Sequence, residues 1–187
     1  FAAAPTELGD QFAMRGAYHE SIERWFLHHW NEGALGLEEW DTVPFKILKR
    51  LFKVGVWRLY AHRIYARKLE SEPPRALHAV LSILHLPDGG LIPGSACGAS
   101  PEKTVERAAI ETFNHLRKLN RLLEGKEQMP PKILVQRLWA HAFDLEIAKG
   151  ANARLQRSLR RESTESDGPV VTFVRPIKLI SAPDYSI

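Results

Sequence analysis

The sequence predicts a layered α/β (α+β) domain with helices packed on a mixed β-sheet, and three observations carry that prediction. Strand-like and helix-like stretches alternate, two β-prone runs flank a Pro-Asp-Gly-Gly turn, and a sharply capped helix follows the second run. The 187 residues suffice for a single domain with a sizeable core, and 44% apolar with 26% charged residues is an ordinary globular composition.

Residues 10–29 carry Ala13, Ala17 and Ile22 among good helix formers with no proline, and predict the first helix. Gly33 and Gly36 then loosen the chain. A second, amphipathic helix is expected over 44–70, where Ile47, Leu48, Leu51, Phe52, Leu59 and Ile64 mix with basic residues before Pro73 and Pro74. The runs 79–86 and 91–97 predict a hairpin, and Pro93 places the second strand at an edge or a bulge. Ser100 supplies a capping hydroxyl, Pro101 the first helical position and Glu102 an acid after it, so a helix follows over 100–122. Pro130 and Pro131 open another helix running to about Arg160, and the basic, polar segment 154–168 reads as a flexible loop. The runs 170–176 and 177–180 are strand-like.

Composition narrows the possible environments and partners. A single cysteine, Cys97, excludes an internal disulfide, reads as a small buried residue and fits a reducing compartment, so a cytoplasmic location is expected. No apolar run approaches the ~20 residues of a membrane span, and no signal peptide is visible. Because the chain opens on Phe1, its start is expected to be processed, trimmed or part of a longer polypeptide. Lys46, Lys49, Arg50, Lys53, Arg58, Arg63, Arg67 and Lys68 follow one another with no intervening acid, which favours an anionic partner. No nucleic-acid motif accompanies that block, and Trp57, Tyr60 and Tyr65 have the spacing of core aromatics.

The most informative pattern is an echo. Ala13-x3-Ala17-x2-Glu20-x2-Glu23-Arg24 recurs as Thr104-x3-Ala108-x2-Glu111-x2-Asn114-His115. Residues three and four apart share a helix face, so Glu20, Glu23 and Arg24 cluster on one helix and Thr104, Glu111, Asn114 and His115 on another. If the faces meet, they form an acidic, metal-sized pocket. The plainer reading of each half is a solvated helix face, and Asn114 and His115 alone carry no functional signal. A carboxylate-bridged di-iron bundle needs Glu-x2-His on two helices, which these segments lack.

Residues 13–25 resemble the first nucleotide-binding motif of the YcaO family, Ser-x3-Glu-x2-Glu-Arg, with Gly16 in the serine position and Glu20, Glu23 and Arg24 matching. Thr104-x6-Glu111 resembles the second, Ser-x6-Glu, and 94–98 looks like the small-residue strand end before it. The resemblance spans 5–180 and is carried by 13–25 and 94–115. It implies ATP- and Mg2+-dependent activation of peptide backbone amides in a ribosomally made precursor peptide, as in azoline-forming cyclodehydration. On that resemblance Glu20, Glu23 and Glu111 hold magnesium, Arg24 meets phosphate and Thr104 lines the nucleotide site. The third motif, Gln-x3-Arg, is expected beyond residue 187, so the chain resembles a shortened or split, incomplete member completed by a second protein chain. Two further readings stay open: a degenerate subunit that binds peptide or partner without turnover, and a basic nucleic-acid-binding module.

Overall fold

The computed structural model describes residues 9–40, 55–67, 73–125 and 140–171. Helix α1 (Gly9–Asn31) leads to a short strand β1 (Glu38–Glu39), followed by β2 (Val56–Arg67), β3 (Arg75–His85) and β4 (Leu91–Gly98). Helices α2 (Pro101–Leu123), α3 (Ala140–Phe143) and α4 (Leu145–Leu159) precede β5 (Glu165–Val170). The sheet order is β1-β2-β3-β4, all antiparallel, and β5 runs parallel to β2 along the same side as β1. The fold is therefore α+β, with helices against a mostly antiparallel sheet.

Both faces of the sheet are covered. Leu77, Ala79, Leu81 and Ile83 of β3 pack with Tyr18, Ile22, Phe26 and Trp30 of α1 and with Ala148, Ala151 and Leu155 of α4. The intervening Val80 and Leu84 lie on the other face, with Val105, Ala108, Leu116 and Leu119 of α2. Full burial of one such large apolar side chain contributes ~1.5–3 kcal/mol. At residues 18, 22, 26 and 30 the buried stripe of α1 advances four at a time, the spacing that keeps one helix face on the sheet.

The 79–86 and 91–97 runs form the expected hairpin, with Leu84 opposite Ile92 and Ala79 opposite Cys97. Among the described residues β4 has a strand partner on one side only, which is where Pro93 can sit without forfeiting a ladder bond. Helix α2 starts as expected: Ser100 Oγ accepts from the Lys103 amide and Pro101 opens the first turn. Its close seat on β4 depends on Gly94, where a Cβ would stand 2.5 Å from the Thr112 amide nitrogen. The small-residue run 94–98 thus has a packing reason.

The helix expected over 44–70 is overturned at 56–67, which form β2; the rest of that range lies outside the described residues apart from Gly55. The cause is burial on both sides. Leu59, Tyr60, Ala61 and His62 are consecutively buried, so the alternation that marks a half-buried strand is absent. Arg58, Arg63 and Arg67 are exposed on this strand, and Arg58 pairs with Glu39. Lys46, Lys49, Arg50, Lys53 and Lys68 lie outside the described residues.

The loop expected over 154–168 is also ordered differently. Residues up to Leu159 belong to α4, with Leu155 and Ser158 buried, and β5 begins at Glu165. Buried His62 ties this region together: Nδ1 donates to the Gly36 carbonyl (2.7 Å) and Nε2 accepts from Ser166 Oγ (2.8 Å). Asp144 interrupts the long helix expected after Pro130 by capping α4, accepting from the Glu146 and Ile147 amides. Strand β5 starts in the expected loop and ends at Val170, the first residue of the strand expected over 170–176; Val171 is not in a strand, and 172–187 and the Pro130-Pro131 start lie outside the described residues.

Candidate functional site

The two halves of the echo meet at one residue of the edge strand. Ser95 Oγ on β4 donates to Glu23 Oε1 of α1 at 2.5 Å, and the Ser95 amide donates to Glu111 Oε2 of α2 at 2.5 Å. The hydroxyl contact has the length of a charge-assisted O–H···O⁻ hydrogen bond to a carboxylate. A carboxylate from each sequence motif therefore lies on either side of one serine.

The Glu111 contact belongs to a longer ladder. Arg107 Nη1 donates to the Cys97 carbonyl (3.4 Å) and His115 Nδ1 donates to the Pro93 carbonyl (2.7 Å). Three α2 side chains at four-residue intervals thus meet three β4 residues at two-residue intervals. One helical step of four residues rises about 6 Å and two strand residues rise about 6.6 Å, so the spacings nearly match. Unpaired edge-strand groups that would otherwise recruit another strand are occupied instead. Because a carbonyl can only accept, His115 carries its proton on Nδ1 and, when neutral, leaves Nε2 as an acceptor.

Electrostatics sets Glu23 apart. Burial pushes its carboxyl up from the ordinary range; the Ser95 hydrogen bond pulls it down, Glu111 pushes it up and Arg107 pulls it down. Cys97, on the same strand, is buried and its thiol is pushed up to about 12, chiefly by burial, so it is an inert packing residue.

The remaining residues of the motifs lie elsewhere. Glu20 Oε1 pairs with Arg24 Nη2 at 2.7 Å, and these side chains are 43% and 76% exposed. That pair lowers the Glu20 pKa through the Arg24 hydrogen bond. Thr104 is buried in the first turn of α2, where Oγ1 donates to the Ser100 carbonyl (2.7 Å), and it packs against Gly98. Asn114 is exposed.

Of the five candidates, the structure brings together Glu23 and Glu111 and leaves Glu20, Arg24 and Thr104 in other contacts. Among the described residues no three His, Cys, Asp or Glu side chains are grouped to hold a metal ion. As a magnesium site, the pair offers two hard oxygen ligands, the number of carboxylates Mg2+ commonly takes beside water and phosphate. Ser95 and Arg107 escaped the sequence reading. The available signal was the spacing of Arg107, Glu111 and His115 on one helix beside a proline-marked edge strand. Compared with models of known families, with curated proteins and with solved structures, the chain finds no match.

Proposed function

We propose that this chain is a YcaO-like subunit that binds ATP and magnesium and takes part in activating peptide backbone amides of a ribosomally made precursor. The observation supporting it is the convergence of Glu23 and Glu111, one from each motif, on Ser95. In this reading the two carboxylates hold Mg2+, which supplies charge neutralisation for phosphate. Arg107 donates to the Cys97 carbonyl on β4, the strand of Ser95, and its charge acts on Glu23. It takes over the phosphate role first assigned to Arg24, whose guanidinium is turned to Glu20. A second protein chain supplies the remaining ligands.

The test is calorimetric titration of Mg2+-ATP into the chain with its candidate partner, comparing wild type with Glu23→Gln and Glu111→Gln. Both substitutions keep an acceptor for Ser95. A loss of affinity of tenfold or more in each supports the reading; wild-type protein that binds no nucleotide with the partner present removes it.

The ladder favours a second reading, a subunit that binds peptide or partner without turning over ATP. It gives Arg107, Glu111 and His115 a purely architectural task. Phosphate release by the assembled complex that disappears in Glu23→Gln would rule this alternative out.

A further inference from the structure

Beside the junction lies a half-enclosed pocket of about 240 Å³ lined by residues from both helical layers. Leu27 and Trp30 of α1, Leu81 and Ile83 of β3, Leu91 of β4 and Ala151 of α4 make most of its wall apolar. Its size falls below the ~300–1,000 Å³ of pockets for drug-sized ligands, and a nucleotide is too large for it. Two polar side chains of its wall, Glu111 and His115, stand one helical turn apart on α2.

Their roles are already fixed by β4. Glu111 Oε2 accepts a hydrogen bond from the Ser95 amide, and among the described residues Glu111 forms no ion pair. His115 donates through Nδ1 to the Pro93 carbonyl, so its second ring nitrogen, Nε2, is not used by that bond. The pocket thus combines an apolar body with the Glu111 carboxylate and the His115 imidazole, beside the smaller polar side chains of Asn31 and Ser95. His141, also in the wall, has its pKa lowered by burial and then by Arg154, which disfavours a competing positive charge there.

We infer that this pocket binds a primary ammonium carried on a short apolar group, with the ammonium donating to Glu111 and to His115 Nε2. The inference is separate from the nucleotide reading but shares Glu111 with it. Magnesium and the ammonium compete for that carboxylate if both hold.

The probe is 3-methylbutylamine, with 3-methylbutan-1-ol and 4-methylpentanoate as shape-matched neutral and anionic controls. Binding is followed by saturation-transfer NMR and by titration of the Trp30 indole resonance. The amine is expected to bind about tenfold more tightly than the alcohol, the difference between a charged and a neutral hydrogen bond, and the carboxylate not to bind. Glu111→Gln, which keeps an acceptor for Ser95, should erase the advantage of the amine over the alcohol. Ala151→Val, which narrows the pocket from α4, should weaken both. Glu23 is not in the wall, so Glu23→Gln should leave amine binding within about twofold while removing Mg2+-ATP affinity. Competition by Mg2+-ATP joins the two readings, and amine binding indifferent to it leaves this inference standing alone. Equal binding of amine and alcohol, binding of the carboxylate, or no perturbation by any probe overturns the inference.

Discussion

Glu20 and Glu23 lie three residues apart on α1, match the same sequence motif and occupy opposite electrostatic situations. Glu20 is solvated and paired with Arg24, which holds its carboxyl low. Glu23 is turned onto the sheet, bonded to Ser95 and pushed up by burial and by Glu111. Three residues advance a helix by about 300°, enough to carry one carboxylate from solvent to the packed boundary while a neighbour stays exposed. A motif that reads as one unit in the sequence is therefore divided between surface and interior, and only the interior part meets the second helix.

That division can be broken most severely at its scaffold. Gly94→Val should drive α2 from β4, because the new side chain meets backbone, and cost about 3 kcal/mol or more in urea unfolding. Unchanged stability would mean that α2 is not seated as described. Glu111→Leu should come next, at about 1–3 kcal/mol, by leaving the Ser95 amide without its acceptor. Glu111→Gln should recover most of that loss, and equal losses in the two variants would remove the ladder as an energetic feature.

A pH series sharpens the contrast between the carboxylates. Glu23 has its folded pKa raised, so the stability it contributes is present below its unfolded pKa and lost as pH rises through the folded value. Glu23→Gln should therefore gain stability relative to wild type as pH rises from the unfolded carboxyl's value of about 4.3 through the raised folded one. Glu20 is the reverse case, lowered in the fold, so Glu20→Gln should not show that gain. Urea midpoints of both variants across that range provide the check, and identical profiles would erase the distinction. The smallest effect belongs to Arg24→Ala, an exposed i,i+4 pair worth about 0.3–0.5 kcal/mol, with Mg2+-ATP affinity unchanged.

The hairpin was legible because Pro-Asp-Gly-Gly punctuates two apolar runs, and α2 because Ser100-Pro101-Glu102 is a local start signal needing no tertiary partner. Strand β2 was not, since a strand covered on both faces shows no alternation and its arginines imitate a charged helix face. The stretch after Arg154 looked like a linker because its polar residues outnumber Leu155, yet that leucine and Ser158 are buried under α1's side of the sheet. In the site, Glu23 and Glu111 were visible as motif positions, while Ser95 was one small residue in a run of small residues.

What the sequence determined by itself is local: the helices of α1 and α2, the hairpin between them, the chemistry of each side chain and the four-residue periodicity that puts carboxylates on two helices. These follow from capping, turn geometry and helical repeat, all of which act within a few residues. Tertiary structure alone decided which carboxylates meet, that Ser95 joins them, and that Arg107, Glu111 and His115 step in register with an edge strand. The reason is physical: that choice depends on which face of each helix is buried against which strand, and on the close approach that Gly94 permits.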